Sequence, residues 1–102
     1  MFVSAYMIAK DRKEARKIAE FLVKKKLAAC ANIFPIESFY IWEEKMQNHA
    51  EYAVIAKTRR SSVKKLISAV KRIHSYSVPC IVFWQIAEGS RDYLDWVRKE
   101  TR

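Results

Sequence analysis

Residues Phe2 to Ala9 form an apolar run of strand length, rich in Val, Tyr and Ile, which predicts a buried strand. Asp11 is placed to cap the segment that follows. There Ala15, Ile18, Ala19 and Leu22 recur at helical spacing, with Arg12, Glu14, Lys17 and Lys24 on the other side. The pattern predicts an amphipathic helix over 11–26, closed by a lysine run that suits the negative end of the helix dipole. Ala28 to Ile36 and then Ser38 to Trp42 carry the apolar, aromatic and β-branched types favoured in strands. Pro35 separates the two halves and predicts an edge position, a bend or a bulge. Glu43 to His49 is polar and reads as a turn, and Tyr52 to Thr58 returns to the strand pattern, so an antiparallel hairpin is expected.

The clearest helix spans 60–74. Val63, Leu66, Ile67, Val70, Ile73 and His74 follow the i, i+3, i+4, i+7 template, with Ser61 or Ser62 available as a cap. Pro79 to Ile86 predicts a strand that begins on proline, where no donor is needed. Gly89, the sole glycine, is expected in a left-handed turn. Ser90 can then cap a last helix with Tyr93, Leu94 and Val97 on one stripe and Trp96 beside it. The order β-α-β-β-α-β plus a C-terminal helix is the α+β, ferredoxin-like pattern: a four-stranded antiparallel sheet with two helices on one face.

Composition narrows the picture. With 102 residues, 51% hydrophobic and 30% charged, the chain is one globular domain over 1–102. One glycine and two prolines imply short loops. Cys30 and Cys80 sit in apolar runs, which suits buried reduced thiols. The opening residues lack a basic leader and are too short to span a bilayer, so the expected compartment is the cytoplasm, with no membrane contact.

Twenty Lys and Arg against 11 Asp and Glu leave a net charge of +9, clustered on or beside the helices. Solvated helix faces account for this. No RNA-recognition, KH, zinc-finger or phosphate-loop pattern accompanies it, so no specific nucleic-acid partner is expected. Nor is there a Ser-His-Asp, HExxH or CxxC arrangement, and the chain does not read as an enzyme.

The chemistry-bearing residues gather in His74-Ser75-Tyr76-Ser77-Val78-Pro79-Cys80, between the second helix and the last strand. This segment belongs to a longer series. It includes Lys26-Leu27-Ala28-Ala29-Cys30-Ala31-Asn32-Ile33, Tyr40-Ile41-Trp42-Glu43-Glu44-Lys45, Glu51, Lys57-Thr58 and Asp92-Tyr93-Leu94-Asp95-Trp96. In order and spacing the series resembles the CutA family of divalent-cation tolerance proteins over nearly the whole chain.

That resemblance implies an intertwined homotrimer of ferredoxin-like subunits, similar to those of the PII signalling proteins. It also implies copper or another divalent cation as ligand, and no known enzyme activity. Alignment with some members puts metal ligands at His74 and Met7, with Met7 in place of a cysteine and Ile73 in place of a second histidine. The segment departs from the family at Ser75, where proline is usual, and at Cys80, where an acid is usual. The residue chemistry leaves other roles open: His74 can bond carbonyls at the helix end, and Met7 can fill the core. A second reading makes the clefts between subunits a PII-like sensor site for a small molecule or anion. Lys45, Lys57 and Arg59 would meet the ligand, Trp42 or Tyr76 would stack on it, and Cys80 would stand on the cleft wall.

Overall fold

The computed structural model describes residues 1–102. The chain runs β1 (Phe2–Ala9), α1 (Arg12–Lys24), β2 (Cys30–Trp42), β3 (Lys45–Arg59), a 3-10 turn (Arg60–Ser62), α2 (Val63–Ile73), β4 (Ile81–Ile86) and α3 (Arg91–Lys99). The strands form one sheet in the order β2-β3-β1-β4, each neighbouring pair antiparallel. This is the ferredoxin-like arrangement expected from the pattern, with α3 added.

Strand alternation decides which helix goes where. Ala5, Met7 and Ala9 of β1, with Val54 and Ala56 of β3, face one side of the sheet. Ala15, Ile18 and Leu22 of α1 and Leu66 and Val70 of α2 pack onto that side and complete the main core. Each fully buried Ile, Leu or Met there contributes about 1.5–3 kcal/mol. Phe2 and Ile86, paired across β1 and β4, face the other side, where Leu94 and Val97 of α3 cover them with Ala29. Nine of the 20 basic residues lie on the outer surfaces of the first two helices. Arg12, Lys13, Arg16, Lys17, Lys24, Lys64, Lys65, Lys71 and Arg72 are all exposed there, against one exposed acid, Glu20.

The caps explain the helix ends. The Asp11 side chain accepts from the Glu14 N–H at 2.9 Å, as the sequence predicts, and the Ser90 hydroxyl accepts from the Tyr93 N–H at 3.3 Å. Ser62 precedes α2 but does not cap it. Its hydroxyl donates instead to the Arg102 carbonyl at 2.9 Å, and a 3-10 turn leads into the helix. Past α1, Lys26 takes φ 59 and the Leu27 N–H reaches the Leu22 carbonyl at 2.9 Å, which closes a Schellman turn.

Two expectations need correction, and a third resolves to one of its alternatives. Gly89 is not left-handed; the positive φ values fall on Lys26, Glu43 and Glu44. Gly89 instead makes room for its neighbour, since a Cβ there would stand 3.3 Å from Leu94 Cδ1. The turn read over Glu43–His49 contracts to Glu43 and Glu44, and Lys45 to His49 continue β3 against β2. These residues are polar because the arm of the hairpin lies beyond the helix layer, with no core to impose alternation. Pro35 takes the edge position, the first of the three alternatives expected of it, without a bulge or break in β2. Pairing is unbroken from Cys30–Lys57 to Trp42–Lys45, with Pro35 opposite Tyr52. β2 is an edge strand, so the missing proline N–H costs the ladder nothing.

Candidate functional site

The segment after α2 is fixed by α1 and β1. His74 ends α2 in an extended conformation, which turns its ring back under the sheet end. The ring is fully buried. Nε2 donates to the Ile8 carbonyl at 2.8 Å, and Nδ1 accepts from the Tyr76 N–H at 3.0 Å. A carbonyl only accepts and a backbone N–H only donates, so the imidazole is the neutral Nε2–H tautomer with both nitrogens used. Glu14 secures the same turn from the other side. Its carboxylate accepts from the Lys10 N–H at 2.9 Å and from the Ser75 N–H at 2.8 Å. Burial acts to raise the Glu14 pKa, but these bonds from Lys10 and Ser75 outweigh it and hold the carboxyl below its ordinary value.

Thus held, Tyr76 reaches across to β3 and donates its hydroxyl to Glu51 Oε2 at 2.5 Å. Burial, then the bond to Glu51, pushes the phenol pKa far up, so Tyr76 stays a neutral donor. Glu51 is only 4% exposed. Around this pair opens a cavity of about 780 Å³. One wall is the hairpin arm, with Glu37, Ser38, Phe39, Tyr40 and Trp42; the other is Ser75 to Val78 and Cys80, with Ile8 at the base. Burial, and next the Glu51 charge, raises the Cys80 thiol pKa, which favours the protonated thiol.

The structure therefore brings together Trp42, Tyr76 and Cys80 of the expected cleft residues. Within one subunit Lys45 and Lys57 lie away from these three. They stand at opposite ends of β3, twelve residues apart, or about 40 Å along an extended strand. Lys45 pairs with Trp42 at the arm's tip, and Lys57 Nζ donates to Asn32 Oδ1 at 2.9 Å. The Arg59 guanidinium is bound to Thr101. The expected ligand pair, His74 and Met7, is placed as follows within the subunit. Met7 is 0% exposed inside the core, and His74 has no free nitrogen. No group of three or more His, Cys, Asp or Glu gathers in a metal-holding arrangement within the subunit. Glu37, Glu51, Phe39 and Tyr40 were not singled out as site residues. Glu51 and Tyr40 stand in the sequence only as members of the series that carries the family resemblance, and Glu51 also as an acid beside an otherwise apolar run.

Comparison with known proteins agrees with the fold and the positions of these elements. The family profile described as "CutA1 divalent ion tolerance protein" matches residues 3–100. The divalent-cation tolerance protein CutA of Archaeoglobus fulgidus is 46% identical over 92 residues, which covers 90% of each chain. That of Thermus thermophilus is 46% identical over 88 residues, covering 85% of each. Among solved structures, the periplasmic divalent cation tolerance protein CutA from Archaeoglobus fulgidus superposes at TM-score 0.96 with 43% identity over 98% of both chains. The Thermus thermophilus protein superposes at 0.97 with 40% identity over the full length of both. With a profile, relatives and backbones in agreement along nearly its whole length, the chain belongs to the CutA family of divalent-cation tolerance proteins.

Proposed function

We propose that this protein serves in the response to divalent metal ions as a homotrimer, with copper or another divalent cation as ligand. Family membership carries the metal reading, since the relatives are named for tolerance to divalent cations and not for a reaction. The carboxylates among the residues lining the cavity, Glu37 and Glu51, are the oxygen donors such a cation would meet. Carboxylates suit harder ions than the thiolate or thioether sites of Cu(I). A binding role rather than catalysis fits the neutral Cys80 thiol and the fully bonded His74 imidazole. The relatives span compartments, one being named periplasmic and another chloroplastic. The cytoplasm is favoured here by two free thiols. No helix is long and apolar enough to cross a membrane.

The hairpin arm supports the trimer. The subunit measures 45 × 25 × 21 Å, and along the arm Phe39, Ile41 and Met46 are 66%, 62% and 68% exposed. A two-stranded arm with such a surface is marginal in water by itself, and β4, with Val82 and Trp84 exposed, offers a second open edge. Copies that cover one another's arms around a threefold axis bury both. Light scattering is expected to give a single species near three times 12.0 kDa. A monomer at micromolar concentration would overturn the trimer. Calorimetric titration with Cu(II) and Zn(II) is expected to show saturable binding that Glu51→Gln weakens. An absence of saturable binding by either metal would overturn the metal reading.

A further inference from the structure

We propose that the outer layer formed by α1 and α2 is a docking surface for the phosphate backbone of a nucleic-acid duplex, bound without regard to base sequence. The inference does not rest on the metal reading.

The first observation is where the charge lies. The nine exposed bases of the two helices, set against Glu20, account for +8 of the chain's net charge of +9; the other eleven bases and ten acids nearly cancel. Solvated helix faces explain a basic composition, but not one layer that holds almost the whole excess. The field is strongest on α2. Lys64, Lys65, Lys71 and Arg72 are exposed there, and the sequence has no Asp or Glu from Tyr52 to Ala87. Beside α1, the carboxylates of Asp11 and Glu14 are engaged by backbone N–H groups. The second observation is that these cations have no partners. The ion pairs of the subunit are Lys26–Glu100, His74–Glu14 and Arg98–Asp95, and none uses a base of this layer. A crowded face of one sign repels itself and attracts a polyanion.

The third observation concerns the kind of polyanion. The 13 residues of α1 and the 11 of α2 make rods of about 20 Å and about 16 Å on the same side of the sheet. A duplex of about 20 Å carries about twelve phosphates, enough for its near side to meet both rows of bases. An anionic membrane suits the layer less well. Helices that lie on a bilayer sink an apolar face into it, whereas the stripes of α1 and α2 are packed in the main core. Val23 is the one large apolar side chain exposed on either helix. A single strand is held by stacking its bases on aromatic rings, and Phe21, the only aromatic residue of the two helices, packs against the core. Neither the arm nor the β4 edge, which the proposed trimer buries, belongs to this layer.

The test uses the native assembly with EDTA present and two labelled DNA duplexes of about 20 base pairs and unrelated sequence, read by fluorescence anisotropy at about 50 mM salt. Both are expected to bind saturably with similar affinity, and that affinity is expected to fall steeply as salt rises. The double variant Lys64→Gln, Lys71→Gln keeps good helix formers at exposed positions and is expected to weaken binding about tenfold or more, with a shallower salt dependence. The double variant Arg91→Gln, Lys99→Gln on α3 removes the same charge elsewhere and is expected to change the affinity less than about twofold. If the α2 variant loses its helical circular dichroism, Lys13→Gln with Lys17→Gln on α1 takes its place. No saturable binding of either duplex overturns the proposal, as does equal weakening by the α2 and α3 variants, which would make the effect one of net charge alone. Tighter binding of a single strand of the same length, of phosphatidylserine vesicles or of poly-glutamate would overturn the choice of a duplex.

Discussion

Replacing Glu14 by glutamine would separate the part of stability that depends on one buried carboxylate. Glu14 joins the start of α1 to the turn after α2 through bonds of 2.9 Å to Lys10 N–H and 2.8 Å to Ser75 N–H. Hydrogen bonds to a charged group are worth about 1.5–3 kcal/mol each. Glutamine keeps one carbonyl acceptor but turns an NH2 toward the second donor, so one bond is lost and one buried N–H is left unmet. The expected loss at pH 7 is about 2–3 kcal/mol. For a chain of this size each kcal/mol moves the thermal midpoint by roughly 4–8 °C. The pH dependence follows from the lowered pKa. A carboxylate with a folded value below its unfolded value of about 4.3 contributes stability that is fully present above that value. The contribution is lost as pH falls through the folded value. The difference between the native protein and Glu14→Gln is thus full at neutral pH and shrinks below about pH 4. Urea midpoints at pH 7 and in acid, at one protein concentration, measure it. Equal midpoints at pH 7, or a gap that widens in acid, would refute the reasoning.

Glu43 and Glu44 both take positive φ in the two-residue turn between β2 and β3, a conformation suited to Asn-Gly. Replacing the pair by Asn-Gly is expected to raise stability by about 1 kcal/mol, read as a higher thermal midpoint; a fall would contradict the turn geometry. Thr58 Oγ1 is buried without a hydrogen-bond partner. Thr58→Val is therefore expected to be neutral or stabilising by up to about 1–3 kcal/mol in urea unfolding, and a clear destabilisation would mean that the hydroxyl has a partner in solution.

Periodicity carried the fold because most elements have one face against a core. β1 ends where its apolar run ends, and the stripes of α1 and α2 name the residues that meet over Met7. Where no core lies beneath, the signal fails. Lys45 to His49 are strand because they pair with β2, and nothing in their own polarity says so. The site was legible in outline through Trp42, Tyr76 and Cys80, which do share a cavity. Its electrostatics were not. Lys45 and Lys57 are near Trp42 and Glu51 in sequence, but an extended strand carries them apart, while a loop 25 residues away brings Tyr76 onto Glu51. His74 shows the same limit. A histidine at a helix end suggests a ligand, and its sequence position does not foretell the bonds of its two nitrogens to the Ile8 carbonyl and the Tyr76 N–H.

The left-handed positions bear on the denatured chain as well as the native one. Lys26, Glu43 and Glu44 hold conformations that glycine adopts freely, in a chain with one glycine. Each side chain there raises the energy of the folded backbone but also narrows the range of shapes open to the unfolded chain. The two effects oppose, which is why relief at the turn is expected to be modest. A chain so poor in glycine loses less conformational freedom on folding, and part of its stability is set by what the unfolded protein cannot do.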